Sequence, residues 1–362
     1  MKSNVKKEKE CIRVGVLGCG IICQAGHLEA CAKAKNVVLE AICDVADDLR
    51  EKMGKIYEPH KSYRNYEDML ADPNIEAVII GIGDQFHVEC AKKALEAGKH
   101  VLVEKPMGVT LEECEELREA VHRSGKILQV GNMKRFDGGI QYAKEFVKSE
   151  AGEVTTFKGW YCDSIGRYAL TDNNMPVLYQ SGQMKKPAGN PKENLENYYL
   201  LGHGSHLVDT ARFLMGNIES VTAQYVNKGN VHSWLIGCTF ENGAIGSLDL
   251  TIPIAQDWHE GFEIYGTGGS VFAKIYNPWE LRSAEVRCCK GSDYMVQMPY
   301  VPDGHFYRRQ LEDFVEVTMG RKKQTGAGVS DGIKTLQALI AIYESTHKEG
   351  RRVCLKDVRG GL

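Results

Sequence analysis

The sequence predicts an α/β chain in two parts: a parallel sheet flanked by helices, then an α/β domain on a mostly antiparallel sheet. Three observations predict it. Short apolar runs alternate with capped helical patterns over the first third. A glycine turn, "GCGIIC", separates the first strand from the first helix. From about Asn132 the alternation stops and strand signals follow one another. The 362 residues suit about two domains, divided here into 1–131 and 132–362.

The elements follow in order. "IRVGVLG" is the first strand, and a helical pattern runs from about Cys23 to Lys35. "VVLEAICD" is the second strand. "AVIIGIG" is continuously apolar, as a strand buried on both faces should be. "KHVLVEKP" and "KILQVG" complete the strands of this half. Gly98 stops one helix, and Thr110 with Glu113 forms a capping box for the next, which ends near Gly125. In the second half "EVTTFKGWYC", "SVTAQYVNKG", "SWLIGCTFENGAIGSLDLTIP" and "GFEIYGTGGSVFAKI" read as successive strands, with Asn242-Gly243 as a hairpin turn. Helices are predicted over about 206–215, 304–319 and 331–348.

Composition excludes several function classes. The net charge of -3 gives no field for nucleic acid or an anionic membrane. No apolar run reaches the roughly 20 residues that span a bilayer, and the polar start lacks a signal-peptide core. The twelve cysteines are scattered and form no C-x-x-C framework. They read as reduced, mostly buried residues of a cytoplasmic protein with no resident metal.

Gly18 and Gly20 fill the first two places of G-x-G-x-x-G, and Cys23, a small residue, the third. The first glycine permits the tight turn and the second lets a pyrophosphate approach the backbone, beside Ile21 and Ile22 at the helix start. Asp44 ends the second strand about 20 residues on, where a carboxylate binds ribose hydroxyls. An acid there repels a 2′-phosphate, which favours NAD over NADP. Strand, turn and helix together make this a Rossmann-type dinucleotide site.

Lys105 stands at the carboxyl end of a parallel strand, where ligands bind in open sheets. Pro106 biases Lys105 toward extended geometry and so aims it. A solvated lysine on a loop fits the position equally well.

These stretches ("VGVLGCGIICQAGHLEA", "AICD", "GIGDQFHVECAKKALEAGKHVLVEKPMGVTLEE" and "QVGNMKRF") resemble the Gfo/Idh/MocA oxidoreductases nearly end to end. The resemblance implies a C-terminal domain on a large open sheet and a last helix packing back on the first domain; an open sheet face with alternating apolar residues needs a cover, so association into a homo-oligomer through it is expected. The resemblance also implies NAD(P)-linked oxidation or reduction of one carbinol of a sugar or inositol. It makes Lys105 the catalytic lysine and puts Glu104, His87 and the strand end Gly81, Ile82, Gly83 and Asp84 near the cofactor. The family often has T-P-N where Ile82, Gly83 and Asp84 stand. Arg135 matches a position near the nicotinamide end.

The family pattern D-x-G-x-H-x-x-D falls on "LLGHGSHLVDTARFL". His206 takes the histidine place and Asp209 the last acid, but Gly202 stands where the first acid belongs. His203 is the candidate to fill that polar role. With Asp209 the two histidines also form a possible metal cluster by spacing. An insert over about 164–197 carries Pro176, Pro187, Pro191, Tyr168 and Tyr179, with Tyr198 and Tyr199 just after it. It reads as a subunit-contact loop or as a lid whose rings stack on a sugar. Trp258 and His259 are further pocket candidates.

The implied chemistry is hydride transfer to NAD, with His206 as base and Lys105 polarising the same oxygen. The H-G-S-H variant resembles bacterial enzymes that oxidise C3 of glycosides, including C-glycosides, for a partner lyase. The competing readings are an inositol or free-sugar dehydrogenase, a hydrolase or lyase that retains its NAD, and a non-catalytic NAD-binding regulator.

Overall fold

The computed structural model describes residues 11–166, 178–183 and 193–362. Its first half is a six-stranded parallel sheet in the order β3-β2-β1-β4-β5-β6. The strands are β1 Ile12–Leu17, β2 Val37–Cys43, β3 Lys61–Tyr63, β4 Ala77–Ile80, β5 His100–Val103 and β6 Leu128–Val130. The order reverses between β1 and β4, and in such sheets the ligand crevice opens at that point. β1, β4 and β5 are almost wholly buried, as strands covered by helices on both faces must be. The three-residue β3 carries no apolar signal and was not legible as a strand.

The helices end where the sequence says. Thr110 and Glu113 form the expected capping box on the Leu111–Ser124 helix, and Gly125 closes it at φ +62°. Gly98 ends the His87–Glu96 helix at φ +74°. The first helix departs from expectation: Cys23–Leu28 is π-helical before Glu29–Lys33 becomes α.

The second half is a nine-stranded sheet in the order β14-β13-β12-β11-β7-β10-β9-β8-β15. Its strands are β7 Val154–Ser164, β8 Ile218–Lys228, β9 Val231–Phe240, β10 Ile245–Ile254, β11 His259–Gly266, β12 Gly269–Ile275, β13 Glu285–Lys290, β14 Val296–Gln297 and β15 Val353–Cys354. Every neighbouring pair is antiparallel except β7 with β10. One helix precedes it, Gly138–Ser149, with Asp137 capping the amides of Gly139 and Ile140. The sheet's inner face is covered by the Ser205–Met215 and Val329–Thr346 helices and holds Trp234, Phe240 and Phe262 in the core. Its other face leaves Leu235 and Ile245 about 60% exposed.

Two helices of the second half return to the first domain, not one. Phe306–Thr318 lays Tyr307 on Gly26 and His27 of the first helix. The segment before Val329–Thr346 pairs Ala327 with Val130 at the edge of the parallel sheet, and Gly332 packs on Met107. The two sheets are therefore tied on both sides of the crevice. No disulfide joins the cysteines, and no helix among the described residues is long and apolar enough to cross a membrane.

Candidate active site

The crevice begins at the glycine turn. Gly18 sits at φ +102°, where a Cβ would strike the Gly81 carbonyl, so the turn after β1 and the end of β4 touch. A Cβ on Gly20 would meet nothing within 4 Å, which leaves its backbone open to an incoming group. Cys23 in the third place is accommodated from the far side. Its thiol lies against Gly81, whose missing side chain makes the room. Asp44 accepts the Cys19 amide at 2.7 Å and the Ala46 amide at 2.8 Å, which fixes its carboxylate beside the turn. An open amide-lined turn with an oriented carboxylate at the next strand end fits a dinucleotide with a free ribose diol.

The neighbouring strand ends are braced rather than exposed. His87 is fully buried; its ring nitrogens face the Pro106 carbonyl at 2.7 Å and the Ile82 carbonyl at 3.3 Å. It ties the loop after β4 to the loop that carries Lys105. Glu104 is also buried. It takes a 2.8 Å hydrogen bond from His27 and a 3.1 Å bond from the Lys105 amide. Burial pushes the Glu104 carboxyl up, but the His27 bond and the Lys105 charge hold it below its ordinary value. Both residues brace the loop that carries Lys105.

Lys105 crosses the crevice. Its ammonium donates a 2.8 Å hydrogen bond to the Gly202 carbonyl, 97 residues away. Gly202 lies in a π-helical turn, Leu200–Gly204, that runs directly into the Ser205–Met215 helix. His206 follows within one turn, half-buried, with its ring stacked on Tyr161 of β7 at 5.9 Å and 5°. His203 is buried; its Nδ1 is 3.2 Å from the Tyr161 hydroxyl and 3.4 Å from the Asp163 carboxylate. The lysine thus reaches the helical segment that carries both histidines.

Asp209, expected among the catalytic residues, and Arg135, expected near the nicotinamide, are partners of each other. They form a buried two-point ion pair, at 2.9 and 2.7 Å, and Arg135 also bonds Asp331 at 3.0 Å. Asp209 is instead held by Arg135, which links it to Asp331 of the Val329–Thr346 helix. Among the described residues, His203, His206 and Asp209 do not make a group that could hold a metal ion. Arg135 is 6% exposed, and although burial opposes it, the two carboxylates hold its guanidinium above its ordinary pKa.

Four residues here had escaped notice: Tyr161, Asp163, Lys134 and Glu260. Alternation along β7 puts Tyr161 and Asp163 on the inner face, and register places Glu260 of β11 directly opposite Tyr161. Lys134 pairs with Glu260 and holds its ammonium 4.5 Å from the Tyr161 ring centre. Burial pushes the Lys134 ammonium down and the Glu260 carboxyl up, each partly opposed by the other. The inner-face alternation in "WYCDS" was the available signal.

Trp258 is buried against Tyr161 and donates to Glu260 at 3.1 Å. His259, its strand neighbour, points to the opposite face and stacks on Trp160, so it does not line the site. Of the insert, residues 178–183 lie on the first domain. Tyr179 exchanges two backbone bonds with the Gln24 side chain, and Ser181 and Gly182 donate to Asp48. Tyr198 and Tyr199 pack their rings around His203. Tyr168, Pro176, Pro187 and Pro191 lie outside the described residues.

Comparison with known proteins agrees with this architecture. Residues 12–132 match the GFO_IDH_MocA oxidoreductase family with an NAD-binding Rossmann fold, and residues 140–272 match the GFO/IDH/MocA C-terminal domain. Myo-inositol 2-dehydrogenase of Thermotoga maritima is 25% identical over 96% of this chain and 100% of its own. The scyllo-inositol 2-dehydrogenase (NAD(+)) of Bacillus subtilis is 29% identical over 86% and 87%. Levoglucosan dehydrogenase, solved in complex with NADH, shares the fold at a TM-score of 0.78 and 22% identity, over 96% of this chain and 100% of that one.

Proposed function

Because this chain belongs to the Gfo/Idh/MocA oxidoreductase family and carries its NAD-binding Rossmann domain, we propose that it oxidises a secondary hydroxyl of a sugar or glycoside, at C3, to the 3-keto form. The single observation that carries the reading is the 2.8 Å bond from Lys105 across the crevice to Gly202, which brings the ammonium to the helix that bears His206. Asp44 would orient the ribose of NAD and the turn at Gly18–Gly20 would hold its pyrophosphate, and the nicotinamide would supply the hydride acceptor. His206 takes the hydroxyl proton as general base, a role typically worth about 10²–10⁴-fold. Lys105 donates to the same oxygen and stabilises its developing negative charge, worth roughly 10²–10³-fold for one such donor. Tyr198 and Tyr199 offer ring faces at the site for a sugar or aglycone.

Glycosidic C3 as the target rests on the H-G-S-H stretch. A 3-keto group acidifies the adjacent C–H, so the product suits a lyase acting next. The inositol reading draws on the names of the two relatives above. The apolar outer face of the large sheet, with Leu235 and Ile245, is the proposed subunit contact. Absorbance of NADH over a panel of glycosides, free sugars and inositols separates the substrates. Lys105→Ala and His206→Ala should each lower turnover by about 10²-fold or more while NAD binding, followed by fluorescence, is kept. Normal turnover in both variants would remove the mechanism, and activity on free inositols alone would remove the glycoside.

A further inference from the structure

Nothing in the packing demands glycine at 202. A Cβ there would meet only the edge of the Tyr198 ring, at 3.6 and 3.8 Å. The helix therefore sends no carboxylate toward His206 from its preceding turn. A buried carboxylate nevertheless stands beside the histidines, and it arrives from the sheet. Asp163 is 3% exposed, on the inner face of β7, with Oδ2 3.4 Å from His203 Nδ1. Tyr161, two residues earlier on the same face, reaches that nitrogen at 3.2 Å through its hydroxyl and stacks its ring on His206.

We propose that Asp163 is a positioning residue for the oxidation: its carboxylate fixes the tautomer and orientation of His203 and, through Tyr161, the placement of His206. The inference rests on the assignment of His206 as base. A proton on His203 Nδ1 is donated to Asp163, with the phenol oxygen as second acceptor, and Nε2 keeps its lone pair. Charge on Asp163 favours that arrangement, and the Lys134–Glu260 pair behind Tyr161 keeps the carboxylate in mixed rather than purely acidic company. An asparagine in the same place can offer its amide N–H to Nδ1 instead, which reverses the tautomer.

Nitrogen-15 NMR of the histidine rings tests this without any substrate. Expected is a His203 signal with the proton on Nδ1 in the wild-type protein, shifting toward Nε2–H in Asp163→Asn. In turnover, Asp163→Asn should lower kcat by on the order of a hundredfold and move the acidic limb of the pH profile. KM and NAD affinity should change little, and Asp163→Glu should recover part of the loss. An Nε2–H tautomer in the wild type overturns the proposal even if the variant does not fold. So does an unchanged tautomer, or an unchanged kcat and pH profile, in a folded Asp163→Asn. A wild-type protein that oxidises no carbohydrate would overturn the functional reading instead, while the NMR result still decides the placement of His203.

Discussion

Lys134 and Arg135 are adjacent cations that lead into two different buried clusters. Arg135 turns to Asp209 and Asp331 and stays charged. Lys134 turns to Glu260 beneath Tyr161, and both partners are driven toward neutrality. The difference lies in geometry and partner number. Arg135 has a planar fork matched by two carboxylates, one bound at two points, which offsets desolvation. Lys134 has a single carboxylate and a ring face in a site equally closed to water. One cluster joins three elements of the second domain; the other sits beside Tyr161 under the histidines, where a change of protonation would be felt by the site.

Substitutions can break this contrast. The largest effect is expected for Arg135→Met, which leaves Asp209 and Asp331 without their cation and should remove about 3–5 kcal/mol, read from urea denaturation. Its pH dependence should be confined to acid. Asp331 is held below its ordinary value despite burial, chiefly by Arg135. Its contribution is therefore present above the unfolded pKa and lost only as pH falls through the folded one.

The Lys134–Glu260 pair should behave in the opposite sense. Glu260 has a raised folded pKa, so its contribution is present below the unfolded value and lost as pH rises through the raised one. Lys134 has a lowered folded pKa, so stability returns as pH rises from that value toward the unfolded one. Between the two lies a shallow minimum. Lys134→Met with Glu260→Leu should flatten it, leaving stability unchanged or raised by about 1–4 kcal/mol. Melting temperature measured from pH 5 to 10 shows either outcome.

The smallest effect calibrates both. Thr110→Ala removes a half-buried cap outside both clusters and should cost about 1 kcal/mol at every pH, by the same melts. A loss as large as that of Arg135→Met would mean that stability here does not reside in the buried ions.

What was legible follows the range of the interaction. The parallel sheet, the glycine turn, the capping box and the Ser205–Met215 helix are written in short patterns, and the structure has them in place. Lys105 was legible because strand end and proline adjoin it. Asp163, Glu260 and Lys134 were not, because each gains its meaning from a partner at least 40 residues away in another element. Asp209 and Arg135 sit inside motif-like stretches, but their pairing with each other and with Asp331 joins positions 74 and 196 residues apart and has no local signal. The Asp137 cap, in "FDGGIQ", announced a helix that strand-rich surroundings concealed.

The acceptor that Lys105 grips is a peptide oxygen, not a side chain. An alanine scan of the Ser205–Met215 helix and its approach would pass over it without a signal, since every replacement at 202 except a distorting one keeps that oxygen. A docking point of this kind leaves position 202 free to change its side chain while the bridge between the halves of the molecule stays intact.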